Sequence, residues 1–179
     1  FVTEEMKSKM AEAIRGIRQA SVDIMSAVSA LQMDQFNKPG RKKLAKAAKI
    51  ILSSTVLTLQ LTDLFECVKL IKHAKKTLHV LKALVSTTLY SEFTALAQEF
   101  ALDSVDLASL VAARVQFILD PVCKRKLEEH NEFVRSQTQN LIQFVHLVFQ
   151  NPQDPTLQTN RKSITNQFEL AIEEIINAA

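Results

Sequence analysis

At 179 residues, the chain is long enough for one domain or a pair of small bundles, and 47% hydrophobic against 23% charged residues excludes a chain disordered by composition. Two glycines and four prolines argue against a turn-rich β fold, and a net charge of +3 at pH 7 does not by itself point to nucleic acid. With no Trp and one Tyr, there is no aromatic platform on which bases could stack.

The chain opens FVTEEMKSK, without an initiator methionine or the apolar core of a signal peptide, and reads as a fragment of something larger. Thr3 is the expected N-cap of a first helix over residues 4–34, with Glu4 and Glu5 in its electropositive first turn. Met10, Ile14, Ile17, Ser21, Ile24, Val28 and Leu31 alternate spacings of four and three, a coiled-coil-like seam broken at Ser21. Asn37-Lys38-Pro39-Gly40 is the clearest turn.

A second helix is expected from Arg41, with no Pro or Gly to stop it until past Ser86, roughly 70 Å at 1.5 Å per residue. Its stretch Ala47–Leu64, AAKIILSSTVLTLQLTDL, is apolar nearly all round. Such a segment is expected to be buried on several sides, inside a bundle or shared between a bundle and a partner. Ser53, Ser54, Thr55, Thr58, Gln60 and Asp63 interrupt it, so it is read as falling short of a membrane span. Beyond it, Leu70, Ala74, Leu78 and Leu81 form an amphipathic stripe, and a break is expected at Ser86-Thr87-Thr88.

The third helix carries Phe93, Leu96, Phe100, Leu107, Val111, Val115 and Ile118, with an irregularity expected at Asp103-Ser104. Asp120-Pro121 and Asp154-Pro155 are strong start signals: an Asp cap followed by Pro at the first helical position. The fourth helix presents Leu127, Phe133, Val134, Leu141, Phe144, Val145 and Val148 and stops at Asn151-Pro152. The fifth presents Leu157, Ile164, Phe168, Ala171, Ile172 and Ile175. Short connections favour antiparallel neighbours.

Catalytic and metal-binding patterns do not emerge. None of His73, His79, His130 and His146 stands three residues after a Glu, and no two stand four apart, so di-iron and zincin spacings are missing. Glu128-Glu129-His130 diverges around a helix and reads as surface. Cys67 and Cys123 read as reduced core thiols of a cytosolic protein, although one disulfide is arithmetically open. The expectation is a non-enzymatic chain without catalytic residues, cofactor or metal. Lys69, Lys72 and Lys76, and Lys75, His79 and Lys82, share helix faces, preceded by Arg41, Lys42, Lys43, Lys46 and Lys49. They could meet anionic lipid or phosphate, but are read as a solvated helix face.

Residues 47–64 resemble the start of the long second helix of the N-terminal domain in the α-catenin/vinculin family, through Ala47, Ala48, Leu52, Ser53, Leu61 and Asp63, continued by Lys69-Leu70. Ala112-Ala113-Arg114, Gln116, Leu119-Asp120, Asn151-Pro152, Asn160-Arg161 and Ile176-Asn177-Ala178-Ala179 extend the resemblance in order along nearly the whole chain. It implies an all-α, elongated architecture: a helical hairpin (residues 1–64) joined through a long shared helix to an antiparallel four-helix bundle (residues 65–179). It also implies a cell-adhesion scaffold in the cytoplasm, at cell–cell junctions and the cytoskeleton. The hairpin would form a homodimer or bind a helix of a β-catenin-like armadillo protein, with cadherin and actin linked indirectly. No nucleic acid and no membrane span are expected. The candidate dimer and partner interface is Met10, Ile14, Ile17, Ile24, Val28, Leu44, Ala48, Ile51 and Leu52. Rival readings are a catulin-type signalling scaffold, a secreted four-helix cytokine and a lipid-binding bundle.

Overall fold

The computed structural model describes residues 4–179, and every element among them is a helix. The order is α1 (Glu4–Met33), α2 (Lys38–Ser86), α3 (Tyr90–Val115), α4 (Pro121–Gln150) and α5 (Pro155–Ala178). The expected Thr3 cap lies outside the described residues. The chain divides into two compact units between Glu66 and Cys67, and the 49-residue α2 contributes to both.

The start of α2 differs from the sequence expectation. Asn37 is a helix cap rather than the first residue of an open turn: its Oδ1 accepts from the Gly40 N–H at 2.7 Å. Lys38-Pro39-Gly40 is therefore the first helical turn. Proline is tolerated there because its missing N–H would have had no intrahelical acceptor. Gly40 is buried, and a Cβ at that position would lie 3.4 Å from Leu31 Cγ.

In the first unit α1 buries Ala13, Ala20 and Ala27, each seven residues from the next. On α2, Gly40, Ala47 and Leu61 are buried at the same spacing and Ser54, between the last two, is half-buried. A seven-residue repeat keeps one stripe facing a partner helix. Here that stripe is made of small side chains apart from Leu61, so the two backbones approach closely. Gly16 sits against Ser54 and Ile50, where an added Cβ would come within 2.9 Å of Ser54 Oγ. The isoleucine seam read from the sequence is thus not the intramolecular contact; it flanks it. Ser21, its break, is exposed and returns its hydroxyl to the Ile17 carbonyl at 2.9 Å.

The apolar segment of α2 is likewise not enclosed. Leu52, Val56, Leu59 and Leu64 are exposed. Two helices can cover only one side of each other, so an all-round apolar segment keeps its remaining sides open. An 18-residue window of α2 reaches mean hydropathy 1.3 with 11% of it buried, enough by length and composition to cross a membrane. The expectation that it falls short of that threshold is corrected. The same helix nevertheless packs Ala47 and Leu61 in the first unit and Leu70, Ala74, Leu81 and Leu84 in the core of the second.

In the second unit the core is Leu70, Leu81, Leu84, Phe100, Leu107, Val111, Leu127, Val134, Leu141, Phe168, Ile172 and Ile175, and α4 packs against both α3 and α5. Phe100 meets the Phe168 ring edge-on at 5.8 Å and Phe133 lies 5.1 Å from it. Both Asp-Pro starts are capped: Asp120 accepts from the Val122 and Cys123 amides, and Asp154 from those of Thr156 and Leu157. α2 ends at Ser86 as expected. Thr87, beyond it, donates to Glu92 in the first turn of α3 at 2.9 Å.

No irregularity occurs at Asp103-Ser104, because α3 runs through it. Asp103 is buried there and takes a hydrogen bond from Lys76 Nζ at 2.9 Å, while Glu99 lies 3.2 Å from the same ammonium. Asp103, then Glu99, hold the Lys76 ammonium above the usual lysine range. Cys67 and Cys123 are both free thiols; Cys67 donates to the Ala179 carbonyl at 3.1 Å.

Candidate partner interface

The open side of the hairpin follows from its seam. Burying alanines on α1 turns the neighbouring large residues aside instead of inward. Of the candidate interface residues, Met10, Ile17, Ile24, Leu44 and Ile51 are half-buried, and Ile14, Val28, Ala48 and Leu52 are exposed. On α1, Met10, Ile14, Ile17, Ile24 and Val28 fall at heptad-related positions beside the alanines, hence on one face. Leu44, Ala48, Ile51 and Leu52 form the corresponding flank of α2, one side of Ala47.

Near the first turns of α1 this side opens into an apolar cavity of about 430 Å³, lined by Met6, Lys7, Met10, Ala11, Ile14, Leu61, Thr62 and Phe65. Methionines suit such a surface because three rotatable bonds let them adapt to what docks. Its polar edge is formed by Lys7, paired with Glu4 at 2.8 Å. One turn away, Lys9 pairs with Glu5 at 2.7 Å and holds that carboxyl below the usual glutamate range. Elsewhere on the hairpin, Lys43 reaches back to α1, to Ser26 Oγ at 3.1 Å and Asp23 at 3.4 Å.

Sequence reasoning missed Met6, Leu61 and Phe65, which complete the cavity. It also missed Gly16 and Ser54, where the helices approach. The signal was present in the alanines at 13, 20 and 27, which a search for large apolar residues passes over. Among the described residues no group of three or more His, Cys, Asp or Glu is placed to hold a metal ion. Apart from Lys7 and Thr62, the residues that line the cavity are apolar.

The Vinculin family model matches residues 2–179. The chain belongs to the vinculin family. Catenin alpha-2 from Homo sapiens is 23% identical over 177 residues, 99% of this chain and 19% of that protein. Catenin alpha-2 from Xenopus tropicalis is 22% identical over the same length. The chain thus spans about a fifth of the length of the curated relatives it matches. Among solved structures, a chain of an HMP-1–HMP-2 complex superposes with a TM-score of 0.82 at 11% identity, covering 99% of this chain and 73% of that one. A vinculin homolog of a sponge gives a TM-score of 0.75 at 20% identity, over 99% of this chain and 23% of the other. These likenesses establish the all-helical fold expected from the sequence.

Proposed function

We propose that this chain is a non-enzymatic adhesion-scaffold segment whose hairpin binds apolar helices from other chains. A β-catenin-like armadillo protein supplies one such helix, and a second copy of this chain supplies others. The carrying observation is the open apolar side of the hairpin, from the cavity at Met6 and Phe65 past Ile14 to Leu52, which is 68% exposed. A two-helix hairpin covers only one stripe of each helix, and an amphipathic helix laid along the uncovered stripe completes a bundle. Similarity to catenin alpha-2 and to a chain solved in complex with another protein supports this choice of partner. Linkage to cadherin and actin, and a cytoplasmic place at cell–cell junctions, follow as consequences, with actin contacts made outside this segment.

Light scattering of the chain alone, and mixed with an N-terminal β-catenin peptide, tests the reading. Dimer and one-to-one complex are the expected species. Ile17→Glu places a charge in a stripe that becomes dry on association, a cost of several kcal/mol. It should weaken both associations at least about tenfold while helicity is unchanged. Loss of only one association, or unfolding of the variant, would count against a shared face.

A further inference from the structure

The tip of the hairpin carries a feature that the partner face does not use. Two large apolar side chains project there: Met33, the last residue of α1, is 92% exposed, and Phe36 is 79% exposed. The backbone beneath them is tied down. Asp34 accepts from the Phe36 N–H at 2.9 Å, and Arg41 donates to the Gln35 carbonyl at 2.8 Å. The same Arg41 guanidinium lies 5.6 Å from the Phe36 ring centre. The phenyl ring is thus held outward by a braced loop rather than left loose.

Further cations follow it along the chain. Lys38, Arg41, Lys42, Lys43, Lys46 and Lys49 follow within three turns, and no acidic residue occurs between Gln35 and Thr62. Of the nearest carboxylates, Asp23 is paired with Lys43, and Asp34 accepts from the Phe36 amide, a bond that does not cancel its charge, so the cations outnumber the carboxylates at the tip. Lys38, Lys42, Lys46 and Lys49 are exposed and form no ion pair among the described residues. Spacings of four, four and three put these lysines on one stripe of α2, turned away from the flank that holds Leu44, Ala48, Ile51 and Leu52.

We propose that the hairpin tip docks on an anionic lipid bilayer, with Phe36 and Met33 in the interfacial layer and the Lys38–Lys42–Lys46 stripe against the headgroups. Charge complementarity selects the occupant. Unpaired cations beside bare apolar side chains match a surface that is anionic outside and apolar beneath. The exposure of Met33 and Phe36 favours a bilayer over an acidic protein segment, because an apolar layer beneath an anionic surface takes up both kinds of side chain. Lysine stems can lie along the interface while their ammonium groups remain hydrated.

Co-sedimentation of the whole chain with phosphatidylcholine vesicles, with and without phosphatidylserine, tests this. Binding is expected only with phosphatidylserine present and should weaken as salt rises. The triple variant K38E/K42E/K46E should lose at least about tenfold in vesicle affinity and remain fully helical. Since the chain has no tryptophan, Phe36→Trp supplies a single reporter at the tip. The indole emission of that variant should shift to the blue on anionic vesicles. Equal binding to both vesicle types, or binding unaffected by the triple reversal, overturns the proposal. So does an unshifted emission from the vesicle-bound Phe36→Trp variant, and so does capture of polyglutamate without capture of anionic vesicles.

Discussion

The two units of this chain are built from the same helix yet bury opposite kinds of side chain. In the hairpin the buried residues of α1 are Ala13, Ala20 and Ala27, and its large residues stay at least half-open. In the second unit the buried residues are Phe100, Phe168 and the leucines, isoleucines and valines around them. Small seams bring helices close but remove little apolar area from water, and stabilisation scales with that area. The bundle is therefore expected to stand by itself, whereas the hairpin leaves the large apolar groups of α1 at least half-open.

Severing the units is the strongest test of this contrast. A fragment of residues 65–179 is expected to unfold cooperatively in urea, with a midpoint independent of protein concentration. A fragment of residues 1–64 should gain helicity as its concentration rises if, as proposed, other copies cover its apolar flanks. A hairpin fragment equally helical at every concentration would show that the alanine seam suffices. A bundle fragment without a cooperative transition would remove the division altogether.

Single substitutions sharpen the comparison at each core. Phe168 is fully buried between Phe100 and Phe133, so Phe168→Ala should cost about 3–5 kcal/mol in urea titration. Its effect on partner binding should be nil, since it lies outside the hairpin unit. A loss below about 1 kcal/mol would mean that the site tolerates truncation as a surface does. Ala20 is just as completely buried, but there the damage runs the other way. Ala20→Leu overfills a close approach and should cost about 1–3 kcal/mol, read as a lower urea midpoint of the whole chain. An unchanged midpoint would mean that the seam yields without cost.

The sequence was legible where large side chains fill the interior. Nearly every residue read as a bundle stripe, from Leu70 on α2 to Ile175 on α5, is buried or half-buried, and both Asp-Pro signals are real caps. Legibility failed where burial and size part company. Ile14 and Leu52 are large and open, whereas Ala13 and Ala47 are small and closed, so a hydrophobic seam drawn from size alone lands beside the real contact. The Asn37-Lys38-Pro39-Gly40 segment misled for a related reason. Pro and Gly usually punctuate a chain, but here proline fits a first helical turn and glycine leaves room for the Asn37 cap, whose Oδ1 would lie 3.1 Å from an added Cβ.

The smallest expected effect is at Gly16, and it bears most directly on how the hairpin closes. Glycine in a helix interior is less favourable than alanine by about 0.8–1.0 kcal/mol, so Gly16→Ala should gain stability if nothing opposes it. What opposes it is Ser54, whose Oγ would lie 2.9 Å from the new Cβ, nearer than carbon and oxygen can pack. Ile50 Cγ2, at 3.7 Å, is in ordinary contact and should not resist. The Ser54 hydroxyl has to turn aside, which offsets part of that gain, so Gly16→Ala alone should change stability by less than about 0.5 kcal/mol. Removing the hydroxyl separates them. In a Ser54→Ala background the same Gly16→Ala change should stabilise the chain by up to about 1 kcal/mol, a coupling that a double-mutant cycle in urea resolves. If the gain is equal in both backgrounds, Gly16 and Ser54 do not meet and the close approach of the two helices at this level is wrong. If Gly16→Ala instead costs more than Ala20→Leu, the tightest point of the seam lies at Gly16 rather than along the alanines.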